Sequence, residues 1–404
     1  MIFYMKRFWA RIGAGRGDFF ALAVLALALA GAARTARAGT NVGAWGAGKT
    51  VNPNSTNDYG QSIVPGNLTN AVQVAGGWRH SMAVKADGTL EGWGDDTLGQ
   101  TNFPPGSNYL CVACGDLFSL ALKSDGTVAA TGDDFYGQAS VPTNLNKVVA
   151  LACGFYHSLA LKADGTVAAW GAGTIMNPED GYDFGQSIVP AGLSNVVAIA
   201  AGGYHNLVRK SDGTLLAWGD NTYGETNIPA GLSNVVAMAA GGWHNLAVKS
   251  DGTVVAWGLD NYGQTDVPAA LSHIVAVAAG EWHSLALKAN GTVVAWGLNT
   301  EGDTNVPVNL TNVVQIAAGD VHSLALMGTA PPVTRAVPMQ PSFGANGFSF
   351  WLPTQNGRVY QLEYNTSMTQ NGWMSLLLQA GTGHPLPFTD SAFAPMRFYR
   401  VSQW

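Results

Sequence analysis

Along residues 235–268 the order of apolar and polar positions reads as a series of short strands. An unbroken apolar run (VVAMAAG) gives way to the alternating HNLAVK of 244–249, and Asp251-Gly252 then supplies a strong hairpin turn signal. The β-branched run TVVAW follows and Gly258 closes it. A polar turn (LDNYGQ) leads to a last short stretch ending at Pro268, where a missing N–H suits a sheet edge. The pattern predicts four antiparallel strands in about 40 residues, the size of a propeller blade.

The same pattern recurs along the chain. Taking the residue that opens each alternating run, equivalent positions are His80, Phe118, His157, His205, His244, His283 and His322. The spacing is 38 or 39 residues, apart from one step of 48 caused by an insertion after Trp170. Apolar first strands begin at Ala71, Tyr109, Val148, Val196, Val235, Ile274 and Val313. Third strands end at Trp45, Trp93, Thr131, Trp170, Trp218, Trp257 and Trp296. The two sets are offset, so the last blade needs the N-terminal NVGAWG run to complete it. This predicts an all-β fold: a seven-bladed β-propeller over residues 39–328, closed by N- and C-terminal strands. The Ala-rich first strands suit the crowded wall of a central channel.

The recurring Gly turn, His-Ser-Leu-Ala-Leu, Asp-Gly-Thr-Val, Trp-Gly and Gly-Gln resemble the regulator of chromosome condensation repeat family over residues 41–327. The compact copies are most similar to the exported bacterial branch, which includes a seven-bladed β-lactamase inhibitory propeller. The resemblance implies a binding protein rather than an enzyme.

The flanks read differently. Residues 1–38 have the form of a signal peptide: basic Lys6, Arg7, Arg11 and Arg16, an apolar stretch over 19–33, and a small-x-small site at Ala36-Arg37-Ala38. Cleavage gives a secreted, periplasmic or cell-surface protein with no membrane span; retention gives an N-terminal anchor. After the repeats, residues 329–341 are Pro-punctuated and read as a linker. Residues 342–404 hold five short strand-like runs and predict a small β-sandwich.

Charge narrows the partners. The chain has 20 basic and 26 acidic residues, and six of the basic ones fall within residues 1–38. The remainder lacks the basic face that nucleic-acid binding demands. Candidate chemistry is sparse. Six ring histidines invite a metal reading, but one residue per blade cannot converge on one ion; tying neighbouring blades together is the better role. No nucleophile elbow, zincin or P-loop motif is present. Acidic turns such as Asp95-Asp96 and Asp133-Asp134 lack a complete calcium-ligand spacing. The expectation is therefore no catalytic residue, no metal and no cofactor. Of Cys111, Cys114 and Cys153, the last two share a repeat position with alanines, which suits small channel-wall residues; a bridge between them is the other reading.

Aromatic residues at the turns stand out instead. Tyr156, Tyr204, Trp243 and Trp282 immediately precede the ring position, with Trp78 and Phe155 one residue earlier. Leu117 and Val321 interrupt the series. Tyr59, Tyr136, Phe184, Tyr223 and Tyr262 precede the Gly of another turn, expected on the opposite rim. Turn aromatics face water unless covered, and large aromatics dominate interface energetics. The first set is thus the predicted surface for an unidentified protein partner, with the second rim as the alternative. By resemblance, inhibition of an exported hydrolase such as a β-lactamase is a narrower form of that reading. A carbohydrate-binding surface module, with a glycan as ligand, is a third.

Overall fold

The computed structural model describes residues 41–52, 56–177, 179, 181–328, 339–344, 347–352, 354–355, 359–365, 374–381, 385–390 and 398–403. The export segment read over 1–38 lies outside the described residues. Among those described there is no α-helix, and no helix is long and apolar enough to cross a membrane.

Each repeat folds as a three-stranded antiparallel meander. In the repeat that defines the pattern these are an inner strand, Val235–Ala240, a middle strand, His244–Lys249, and an outer strand, Val254–Gly258. Register places His244 opposite Gly258 and Asn245 opposite Trp257. Six such sheets lie in succession from Ala71–Gly76 to Val293–Gly297. Another joins Val313–Ala318 and His322–Met327 to Asn41–Gly46, with Val42 opposite Leu326. Repeated meanders with alanines on the inner strands are the architecture of a β-propeller.

The middle strands carry the core. Leu246, Ala247 and Val248 are fully buried, as are Leu285, Ala286 and Leu287 one repeat later. Burying a side chain of this size contributes about 1.5–3 kcal/mol, so the stacked middle strands dominate packing. Just before the inner strand, Asn234 takes a left-handed conformation (φ 57°), and a register irregularity follows between Val235 and Ala237. Together they turn the chain into the next sheet.

Among the described residues, the fourth strand expected in each repeat is absent. Residues 259–268 form turns whose backbone donors are satisfied locally. Tyr262 N–H donates to Gln264 Oε1 at 2.9 Å, Thr265 N–H to Asp260 Oδ1 at 2.9 Å, and Val267 N–H to the Thr265 carbonyl at 2.9 Å. Pro268 has no N–H, so little remains to pair with a ladder. The segment serves as a clamp: the Gln264 carbonyl accepts Ser284 Oγ at 2.8 Å and Trp296 Nε1 at 2.9 Å from the following sheet.

The described residues of the C-terminal region form six strands rather than the five expected. Met339–Gly344 pairs with Gly347–Leu352, so a strand begins inside the stretch read as a linker, whose residues 329–338 lie outside those described. Pro341 is tolerated because this is an edge strand with an irregularity between Met339 and Ser342. Two three-stranded sheets share one core, Phe350 and Phe388 from the first and Tyr360 and Leu362 from the second. Leu378 packs beside Val149 and Val197 of the repeats, and its N–H donates to the Ala163 carbonyl at 2.9 Å.

Candidate interaction face

Strand parity decides where the turn aromatics lie. The chain runs along an inner strand, back along a middle strand and forward again along an outer one. The turn after the outer strand therefore returns to the end that holds the inner-to-middle turn. The register of His244 against Gly258 shows this directly. The expectation of two opposite rims is thus incorrect: both sets occupy one face.

They also pair across the seams between sheets. Ring centroids lie 5.2 Å apart for Tyr136 and Tyr156, 5.3 Å for Phe184 and Tyr204, 5.8 Å for Tyr223 and Trp243, and 5.3 Å for Tyr262 and Trp282. Neighbouring pairs connect in turn, with Tyr156 6.0 Å from Tyr204, Tyr204 5.5 Å from Trp243, and Trp243 6.4 Å from Trp282. Phe155 reaches inward to meet Tyr204 at 5.5 Å and Trp243 at 6.1 Å. Trp78 is covered differently: the Arg79 guanidinium lies 3.4 Å from its ring centroid and 4.8 Å from that of Tyr59.

Exposure within this band reverses the expected ranking. Tyr204 is buried, and Tyr156, Trp243 and Trp282 are half-buried beneath their neighbours. Tyr223 and Tyr262, from the set ranked second, are 48% and 50% exposed. Sequence reasoning overlooked two members. Phe135 is 83% exposed beside Tyr136, and Tyr182, from the insertion, lies 5.1 Å from Tyr136 and 5.6 Å from Tyr156. The adjacency of Phe135 to Tyr136 was the available signal for the first; nothing local marks Tyr182.

At the centre of the face the inner strands end around a cavity of about 160 Å³, lined by Gly76, Cys114, Cys153, Ala201, Ala240, Ala279 and Ala318. The two cysteines thus occupy the channel wall as free thiols. Burial raises Cys114 to about 12, so it stays protonated. Asp116 and Asp320 stand at the cavity, and Glu281 neighbours them. These occupy the position two before the ring residue, a relationship not recognised in sequence. Asp116 neighbours Asp320 and the Tyr156 hydroxyl. Burial, reinforced by the charge of Glu281, pushes Asp116 up to about 7, and Asp320 is raised well above its usual range for the same reasons, burial first. Burial also raises Glu281, opposed by Trp282 and Trp243 beside it.

The ring histidines tie sheet to sheet. His80 Nε2 lies 2.8 Å from Ser119 Oγ, His157 Nε2 2.8 Å from Asn206 Oδ1, and His322 Nε2 2.8 Å from Ser81 Oγ. Asn206 Nδ2 in turn donates to the Gln186 carbonyl, so its oxygen is left to accept from an Nε2–H tautomer. Burial holds His157 down to about 4, keeping it neutral. Among the described residues no group of three or more His, Cys, Asp or Glu is disposed to hold a metal ion. The acidic turns cap their own backbone, as Asp95 Oδ1 does for Thr97 N–H at 3.0 Å.

Comparisons with known proteins fit this architecture. No curated protein matches the chain at a significant level. Solved structures similar in fold include Prp20p of Saccharomyces cerevisiae, 20% identical with a TM-score of 0.58, over 72% of this chain and 92% of that one. The same yeast protein bound to Kap60 is 22% identical, with a TM-score of 0.57 over 73% and 90%. Human WBSCR16 is 21% identical, with a TM-score of 0.55 over 72% and 99%. The regulator of chromosome condensation (RCC1) repeat matches residues 71–100, 110–138, 148–174, 196–225, 235–264 and 274–303. Six matched repeats, each a meander tied to the next, place the chain in the RCC1 repeat family.

Proposed function

We propose that the chain is an exported, non-enzymatic interaction protein of the bacterial kind, whose aromatic face binds a protein partner. In this reading the repeats form a seven-bladed ring closed by Asn41–Gly46, and the C-terminal sheets form a small β-sandwich docked on its side. The carrying observation is the continuous band of paired rings on one face, with Phe135, Tyr182, Tyr223 and Tyr262 exposed above a packed base. Rigid aromatics held by their neighbours lose little entropy on binding. The yeast structures support a protein partner in general: Prp20 is described with Kap60, Gsp1p and histones. Those partners belong to that protein.

The edge-on and tilted packing of the rings favours a protein over a glycan, because a sugar platform needs an open ring face. An exported hydrolase is a partner class consistent with this reading. Capture from the native secretome on the full chain tests it. Binding of a defined protein that is lost with Tyr223→Ala and Tyr262→Ala supports the face. Equal capture by that double variant, or binding of glycans alone, overturns it.

A further inference from the structure

At the centre of the aromatic face, Asp116 and Asp320, from two separate repeats, line the cavity where the inner strands end. Asp116 is only 7% exposed, and its Oδ1 has no hydrogen-bond partner although it lines the axial cavity. Asp320 lines the same cavity beside Asp116, and burial favours the protonated form of both acids. Glu281 stands beside them, its backbone N–H donating to the Asp320 carbonyl at 3.3 Å and its side chain against Trp282 and Trp243. One cation is close, Arg79, and it is held over Trp78 and Tyr59 with its Nη1 donating to the Tyr59 hydroxyl. The site thus has an excess of acids over bases, an unused buried acceptor and a surround of aromatic rings.

We propose that this is a socket for the ammonium group of a lysine side chain presented by the protein partner. An ammonium carries three donors on a compact point charge and serves the unused Asp116 Oδ1 and the Asp320 carboxyl together. Its slim alkyl stem fits a mouth of about 160 Å³ walled by glycine and alanine, where a planar guanidinium is wider. Phe155 lines the same cavity, and an aromatic ring face favours a desolvated cation. On entry the ammonium replaces a proton held by Asp116 or Asp320, which passes to water. The charged and titratable groups facing Asp116 are Asp320, Glu281, Tyr156 and Arg79.

This rests on the aromatic face being the binding face, but its test needs no partner. The full chain is titrated with n-butylammonium, followed by calorimetry and by the indole N–H resonances of Trp243 and Trp282. N-methylguanidinium and calcium are run in parallel. The expected result is saturable ammonium binding, stronger at pH 8 than at pH 5.5, and weakened at least about tenfold by Asp116→Asn. Asp320→Asn provides a second variant that keeps a hydrogen-bonding amide in place. No saturable binding, binding by both variants equal to that of the parent chain, or a preference for calcium overturns the socket. Loss of secretome capture in the Tyr223 and Tyr262 variant bears only on the face around it.

Discussion

The rings of Tyr262 and Trp282 meet edge to face, with centroids 5.3 Å apart and planes at 82°. Tyr262 follows the outer strand of one repeat and Trp282 precedes the middle strand of the next, so the contact spans a seam. Such a pair contributes about 0.5–1.5 kcal/mol beyond its buried area. Tyr262→Ala is expected to weaken partner capture and to lower the melting temperature only by the loss of this pair. Trp282→Ala lowers both, and the double variant costs less stability than the two singles together. Strict additivity in thermal unfolding shows that the pair is uncoupled.

The histidine ties predict a particular pH dependence. His157 is buried, bonded to Asn206, and held down to about 4 against an ordinary value of 6.5. Its contribution is present above pH 6.5 and is lost as pH falls toward 4, because the unfolded chain takes up the proton first. His157→Phe introduces the residue that Phe118 already supplies at the equivalent position, and it is expected to destabilise at pH 7.5. The gap to the parent should narrow by about 1.4 kcal/mol per pH unit between those two values. Denaturant titrations at pH 7.5 and 5 measure it, and a constant gap contradicts a neutral buried imidazole.

Gly241 sits where the sheets converge. A Cβ there would lie 2.4 Å from the Gly280 carbonyl oxygen and 2.7 Å from His244 Cε1. Gly241→Ala is therefore expected to cost more than about 2 kcal/mol, since backbone and a tied ring must both shift. Gly231→Ala is its control for space, because nothing lies within 4 Å of a Cβ at that site. Gly231 has φ +77°, so its own cost measures backbone strain alone. Similar losses at the two positions would remove the packing argument.

The pairing of Asn41–Gly46 with His322–Met327 carries structural weight. Trp45 Nε1 donates to the Asp303 carbonyl at 2.7 Å, and Ala47 N–H donates to the Val321 carbonyl at 2.9 Å. A chain beginning at Gly66 is expected to lose cooperative unfolding. Ending the chain at residue 338 keeps cooperativity but lowers the midpoint, because Leu378 no longer covers Val149 and Val197. Equal midpoints for the full chain and the Gly66 start contradict closure by Asn41–Gly46.

The thiols provide a simple probe of the channel. Burial raises Cys111 and Cys114 to about 12 and Cys153 well above its usual value. At pH 8 the folded chain is expected to leave all three unmodified by a thiol reagent until it unfolds. Rapid labelling of Cys114 or Cys153 in the folded state indicates that the axial wall opens.

Much of this architecture was determined by residues acting on their neighbours. Asp251-Gly252 forces a hairpin, the flanking runs alternate, and the repetition of both sets the meander and its period. The structural role of the ring histidines followed from the same repetition, since Phe118 occupies one slot without disturbing the pattern. Local rules failed where hydrogen-bond accounting is not local. Residues 259–268 look extended, yet Gln264 and Asp260 consume their donors. Pro341 looks like a linker residue, yet an irregular sheet edge accepts it.

The site itself was decided by tertiary structure. Three strands per sheet, an odd number, bring the turns at Trp243 and Tyr262 to one end, which no single turn reveals. The proximity of Asp116, Glu281 and Asp320 is further from local reach, because the equivalent residues elsewhere are Trp78, Phe155, Gly203 and Gly242. No motif joins those acids. They are neighbours because each repeat places that one position beside the axial cavity, where the inner strands of separate sheets end.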